Sequence, residues 1–196
     1  MKTNKLFCSL LALVSTVCAV SSLHAEAKPK IKDIVDFRQQ SVERDGAEMR
    51  PIKKYGYAFG DWDKKVIYLE GRGLLVQAPG GKGGFGGDKS MKFKPGQELA
   101  LEVVLGNQNR SAGFSLALTD ADGTEASWNL ALGGKPVGTG LIFRINLAKC
   151  DKEDKPGKVP GLDIAKIKKW QVRGNWQSDF NELLVARMFS LEMPAQ

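Results

Sequence analysis

Alternation of apolar and polar residues dominates the chain from about residue 66 onward. Leu99, Leu101, Val103 and Leu105 alternate with Glu98, Ala100 and Glu102, and Phe114, Leu116 and Leu118 alternate with Ser115 and Ala117. The same period runs through Ala126, Trp128, Leu130 and Leu132, and through Leu141, Phe143, Ile145 and Leu147. Val66 to Leu69, Leu74 to Ala78, Trp170 to Val172 and Leu183 to Leu191 add short runs rich in β-branched and aromatic residues, each bounded by Gly, Pro, Asp or Asn. A period of two places successive side chains on opposite faces of a half-buried strand. About eight to ten strands at this spacing predict an all-β, antiparallel sandwich rather than βαβ units.

Helical periodicity is thin. Residues 36 to 50 are polar with little apolar spacing, and Asp163 caps at most one turn through Ile164 and Ile167 before Trp170 begins a strand. Lys149 to Gly161, with alternating charges and Pro156 and Pro160, reads as a long surface loop. One sandwich domain is expected over residues 36–193, with residues 26–35 as a flexible lead-in.

The amino terminus sets the compartment. Lys2 and Lys5 precede a 15-residue, mostly apolar run from Leu6 to Val20, followed by small residues and candidate cleavage points after Ala25 and Ala27. This is the pattern of a secretory signal, assigned to residues 1–25, and it implies a secreted or periplasmic protein. Fifteen apolar residues fall short of the roughly 20 that span a bilayer as a helix. No membrane span is expected, and Ser15, Thr16 and Val17 before Cys18 make a poor lipid-attachment site.

Removing the signal changes both charge and chemistry. The full chain carries 29 Lys and Arg against 22 Asp and Glu, a formal net charge of +7, of which Lys2 and Lys5 leave with the signal. The remaining positives are dispersed, so no nucleic-acid partner is expected. Cys8 and Cys18 also leave, as does the one histidine, His24, so Cys150 cannot form an internal disulfide. Without histidine the mature chain cannot run a Ser-His-Asp or Cys-His triad or build a His-bearing zinc site.

Six glycines fall in the eight positions from Gly80 to Gly87. Gly81-Lys82-Gly83-Gly84-Phe85-Gly86 matches G-x-G-x-x-G, but Lys92-Phe93-Lys94-Pro95-Gly96 follows where a phosphate-binding turn needs a helix. Asp88 between Gly87 and Lys89 breaks the Walker pattern as well. Two readings remain: a bend between a strand ending near Ala78 and one beginning near Ser90, with glycine where strand edges crowd, or a ligand-binding rim loop with Phe85 and Asp88 at its tip.

Other acidic and aromatic residues divide similarly. Asp120-Ala121-Asp122-Gly123 begins like a calcium loop, but position twelve is Ala131 rather than Glu, and a hairpin turn with Gly123 at positive φ fits better. Glu98 and Glu102 share a strand face with backbones roughly 13 Å apart, outside the spacing of a glycosidase pair. Trp128 and Trp170 continue apolar faces and are core candidates. Trp62 and Trp176 stand among Asp, Asn and Gly, where an aromatic face with neighbouring polar groups suits a sugar ring.

The segments LLVQAPGGKGGFGGD, LALTDADGTEASWNL and GLDIAKIKKWQVRGNW, followed by LLVARMFSL, resemble secreted bacterial carbohydrate-binding modules with a galactose-binding-like, jelly-roll sandwich. The resemblance covers about Tyr55 to Glu192. It implies an exported, non-catalytic sandwich that binds a polysaccharide or other glycan through aromatics on a concave face or rim loops, with a structural calcium in many members. Candidate ligand-binding residues are Trp62, Phe85, Asp88, Trp176, Tyr57 and Arg173. A polysaccharide hydrolase or lyase using Asp or Glu, and a cell-envelope assembly protein built on the same scaffold, are the alternatives.

Overall fold

A computed structural model of the chain describes residues 28–39, 44–45, 48–49, 56–174 and 179–192. The strands are β1 (Lys30–Asp36), β2 (Arg44–Asp45), β3 (Glu48–Met49), β4 (Tyr57–Gly60), β5 (Val66–Leu69), β6 (Gly73–Ala78) and β7 (Gly83–Met91). They continue with β8 (Gln97–Leu105), β9 (Gly113–Asp120), β10 (Glu125–Ala131), β11 (Gly140–Asn146), β12 (Lys152–Lys155), β13 (Ile167–Gly174) and β14 (Asn181–Glu192). Two six-stranded antiparallel sheets face each other, as the alternation predicts. The first runs β11-β8-β14-β6-β5 with β1 also on β14, and the second runs β12-β10-β9-β13-β7-β4. Residues 1–25, expected to be a secretory signal, lie outside the described residues. No helix among the described residues is long and apolar enough to cross a membrane.

Strand β14 organises the first sheet. One of its edges pairs with β8 throughout; the other pairs first with β6, Asn181 to Val185 opposite Ala78 to Leu74, and then with β1, Arg187 to Glu192 opposite Asp36 to Lys30. The change of partner falls at Ala186, where the pairing with β8 also shifts register between Val185 and Arg187. Of the segment expected as a flexible lead-in over residues 26–35, the part from Lys30 onward is therefore strand, paired into the first sheet. Its exposed Lys30, Lys32 and Asp33 hid a pairing held mainly by backbone hydrogen bonds. Lys152–Lys155, expected within a loop, likewise pairs with β10.

The core lies between the sheets. Phe114, Leu116 and Leu118 of β9 and Trp170 and Val172 of β13 face Leu99, Leu101 and Val103 of β8 and Val185 and Met188 of β14. At one end Phe37, Trp62, Phe85 and Trp170 pack ring to ring: Phe85 stands edge-on to Trp170 at 5.9 Å and to Phe37 at 6.3 Å, and stacks with Trp62 at 6.4 Å. Burying each such ring contributes about 1.5–3 kcal/mol, and each aromatic pair about 0.5–1.5 kcal/mol more.

Candidate functional site on the outer face of the second sheet

The side chains that the second sheet turns away from the core fall into three cross-strand rows. Tyr57, Gly86, Gln171, Ala117, Ser127 and Lys152 stand opposite one another across all six strands. Beside them run Phe59, Gly84, Arg173, Ser115 and Asn129, and then Asp88, Lys169, Thr119, Glu125 and Lys155. At about 4.8 Å per strand the first row spans ~24 Å and the other two ~19 Å. Small residues form the floor: Gly84, Gly86, Ser115, Ala117 and Ser127 are buried although they point away from the core. Tyr57, Phe59, Lys169, Arg173, Glu125 and Asp154 stand above them, each partly exposed.

The glycines of β7 make this relief. A Cβ on Gly84 would lie 2.4 Å from the Val172 carbonyl oxygen and 2.7 Å from the Phe59 ring; one on Gly86 would lie 2.3 Å from the Trp170 carbonyl oxygen and 2.7 Å from Gln171 Cγ. Phe59 and Gln171 thus occupy the volume that side chains on β7 would fill. Most of the glycine run is strand rather than the bend expected between Ala78 and Ser90, and crowding is the reason for its composition.

A connected set of polar groups crosses the floor. Gln171 Nε2 donates to Tyr57 Oη at 2.7 Å, and Arg173 donates to Gln171 Oε1 from Nε at 2.9 Å and also from Nη2. Arg173 Nη2 reaches Glu125 Oε1 at 2.8 Å and Nη1 faces Asp154 Oδ2 at 3.6 Å. Thr119 Oγ1 donates to Glu125 Oε2 at 3.3 Å. Lys169 Nζ sits 5.2 Å from the centre of the Tyr57 ring, whose neighbour Phe59 is 6.1 Å away. Burial by itself would raise Asp154, but hydrogen bonds from Lys152 and Ser127 and the charges of Lys152 and Arg173 outweigh it and hold the carboxyl below the usual carboxylate range.

Of the six ligand-binding residues expected from the sequence, Tyr57, Asp88 and Arg173 come together on this face. Trp62 and Phe85 do not. Trp62 is 0% exposed, with its indole N–H donating to the Gly80 carbonyl at 3.3 Å, and Phe85 is 1% exposed. Both are core rings rather than loop aromatics: Phe85 lies within β7 with its side chain on the inner face, and Trp62, in the turn between β4 and β5, stacks its ring on Phe85. Trp176 lies outside the described residues. Phe59, Gln171, Glu125 and Asp154 were missed. Parity carried a signal for two of them: Phe59 follows Tyr57 by two, and Gln171 alternates with Trp170 and Val172.

No protein-family model matches the sequence, and no curated protein matches it. Solved structures do. The family 11 carbohydrate-binding module of the cellulosomal cellulase Lic26A-Cel5E of Clostridium thermocellum superposes over 87% of this chain and 98% of the module, with a TM-score of 0.54 and 14% identity. The xylan-binding module CBM15 superposes over 84% of this chain and 97% of its own, at 0.52 and 10% identity. The chain has the fold of carbohydrate-binding modules. The same sandwich covers 26% of an exo-beta-agarase, over 84% of this chain, with a TM-score of 0.56 and 13% identity.

The calcium that a resemblance to such modules implies does not fit the Asp120–Gly123 turn. Asp120 Oδ1 accepts from the amides of Asp122, Gly123 and Thr124 at 3.1, 3.0 and 2.9 Å, and Oδ2 accepts from the Asp163 amide at 2.8 Å. Asp122 accepts from the Val159 amide at 2.8 Å and the Thr124 hydroxyl at 3.2 Å. Oxygens aimed at N–H and O–H donors are not aimed at a cation, and Gly123, at φ 100°, closes a hairpin turn. On the first sheet's outer face Glu98 bonds Arg144 at 2.6 Å and Glu102 bonds Arg187 at 2.5 Å, so these two acids are ion-paired separately.

Proposed function

We propose that this is an exported, non-catalytic module that holds a glycan chain across the outer face of the second sheet. The observation that carries the reading is the juxtaposition of the Tyr57–Phe59 ring pair with the Tyr57–Gln171–Arg173–Glu125 hydrogen-bonded line on a floor of glycine, serine and alanine. An aromatic pair offers its faces to the C–H side of sugar rings, while amide and carboxylate groups beside it meet hydroxyls. Fold-level likeness to a xylan-binding module and to a module in complex with a β-1,3-1,4-mixed-linked tetrasaccharide supports the same use here.

Glu125 and Asp154 flank Arg173, and a carboxylate pair on a groove raises the question of hydrolysis. A glycosidase needs one carboxyl kept protonated near neutral pH, which requires an upward shift. Asp154 is moved downward, and Glu125 is bonded to a guanidinium. Both are suited to accepting hydrogen bonds from hydroxyls.

Calorimetric titration against mixed-linkage β-glucan, xylan and agarose tests the proposal. Binding to at least one is expected, with Tyr57→Ala weakening it about tenfold or more, a loss of roughly 1.4 kcal/mol. Ile67→Ala, on the outer face of the other sheet, is expected to bind as the unaltered protein does. Failure to bind any glycan, or full affinity in both Tyr57→Ala and Glu125→Ala, would remove the proposal.

A further inference from the structure

We infer that Arg173 and Gln171 are positioning residues that give this face a fixed hydrogen-bonding direction, with Tyr57 as the donor to the ligand and Glu125 and Asp154 as acceptors. The inference rests on the glycan-binding reading and specifies which sugar atoms meet which end. A guanidinium only donates, so the Gln171 atom facing Arg173 Nε at 2.9 Å is the carbonyl oxygen. The amide nitrogen is thereby aimed at Tyr57, and because an N–H donates, the phenol oxygen accepts at 2.7 Å. Gln171 is only 6% exposed, and a flipped amide would set its two N–H donors against those of the guanidinium.

The Tyr57 hydroxyl hydrogen must then point elsewhere. None of its contacts among the described residues supplies an acceptor: Lys169, over its ring, is itself a donor. The ligand atom at this end is an acceptor, such as a ring, glycosidic or hydroxyl oxygen. At the far end the two carboxylates beside Arg173 are acceptors, with the ammonium groups of Lys152 and Lys155 on β12 next to them. Glu125 receives Arg173 Nη2 at 2.8 Å and Thr119 Oγ1 at 3.3 Å, and Asp154 faces Arg173 Nη1 at 3.6 Å, so the lone pairs left over accept hydroxyl hydrogens from the sugar. A chain with distinct ends meets distinct groups along the row and is held in one polarity.

Isosteric replacement of the hinge of this network is the test, by titration of the three polysaccharides named above. Gln171→Glu presents oxygen to both neighbours, so the Tyr57 hydroxyl turns inward to donate to it. Its affinity is expected to fall about five- to thirty-fold, the value of one hydrogen bond to a polar partner, and to match the fall in Tyr57→Phe. The double variant is expected to bind no worse than the poorer single one. Gln171→Met keeps the volume and leaves the Tyr57 hydroxyl free to rotate, so it should lose less than Gln171→Glu; a purely structural role predicts the reverse. Thermal midpoints measured alongside separate loss of folding from loss of binding. Additive losses, or Gln171→Glu binding as tightly as the unaltered protein, overturn the inference while the glycan reading stands. Absence of binding to all three polysaccharides in the unaltered protein overturns the glycan reading, and this inference falls with it.

Discussion

The carboxylates of the β9–β10 turn tie two distant segments together. Asp120 accepts from four amides, one of them from Asp163 just before the short turn Ile164–Lys166, and Asp122 holds the Val159 amide. A hydrogen bond with the Asp120 carboxyl, then that from the Val159 amide, lower Asp122 from its ordinary 3.8 to about 2. A depressed folded-state value means stabilisation that is complete above the unfolded value and is lost as pH falls through the folded one. The thermal midpoint of the unaltered protein is therefore expected to drop between about pH 4 and pH 2. In Asp122→Asn that descent should be shallower. An identical acid limb in both proteins, by circular dichroism melts across this range, would refute the assignment.

Strand β7 carries its information in what it lacks. Replacing Gly84 with alanine forces its Cβ toward the Val172 carbonyl and the Phe59 ring, so β7 and β13 must separate or Phe59 must move. A loss of about 1–3 kcal/mol in denaturant unfolding is expected, together with weaker glycan binding. The inverse result, a gain in stability, would mean that the floor tolerates side chains. This strand also explains what the amino-acid pattern disclosed and what it withheld. Strands β5, β6, β8, β9, β10, β11, β13 and β14 bury one face against the partner sheet, and burial imposes the alternation seen at Leu99 to Leu105 and Phe114 to Leu118. A strand of glycines has no side chains to alternate, and Lys152–Lys155 and Lys30–Asp36 are held by backbone pairing under charged side chains. Tyr57 and Arg173 were legible as polar or aromatic residues near strand ends. That Gln171 and Glu125 complete their line was not, since it depends on which strands the topology makes neighbours.

Across the molecule, the outer faces of the two sheets differ. The first carries the long β14 and separate surface ion pairs; the second offers a recessed polar face whose side chains are linked by hydrogen bonds. Among the described residues the first and last strands are neighbours in the first sheet, Lys30 of β1 standing opposite Glu192 of β14. Circular permutation is expected to succeed: a chain joined there by a short linker and reopened between Gly133 and Gly134, in the exposed turn after β10, should retain its β-rich circular dichroism and its glycan affinity. Aggregation or loss of cooperative unfolding would count against it. Opposed residues of an antiparallel pair have Cα atoms about 5 Å apart, so a loop in a larger enzyme could be cut and this sandwich spliced between the severed ends with hardly any stretching of the host.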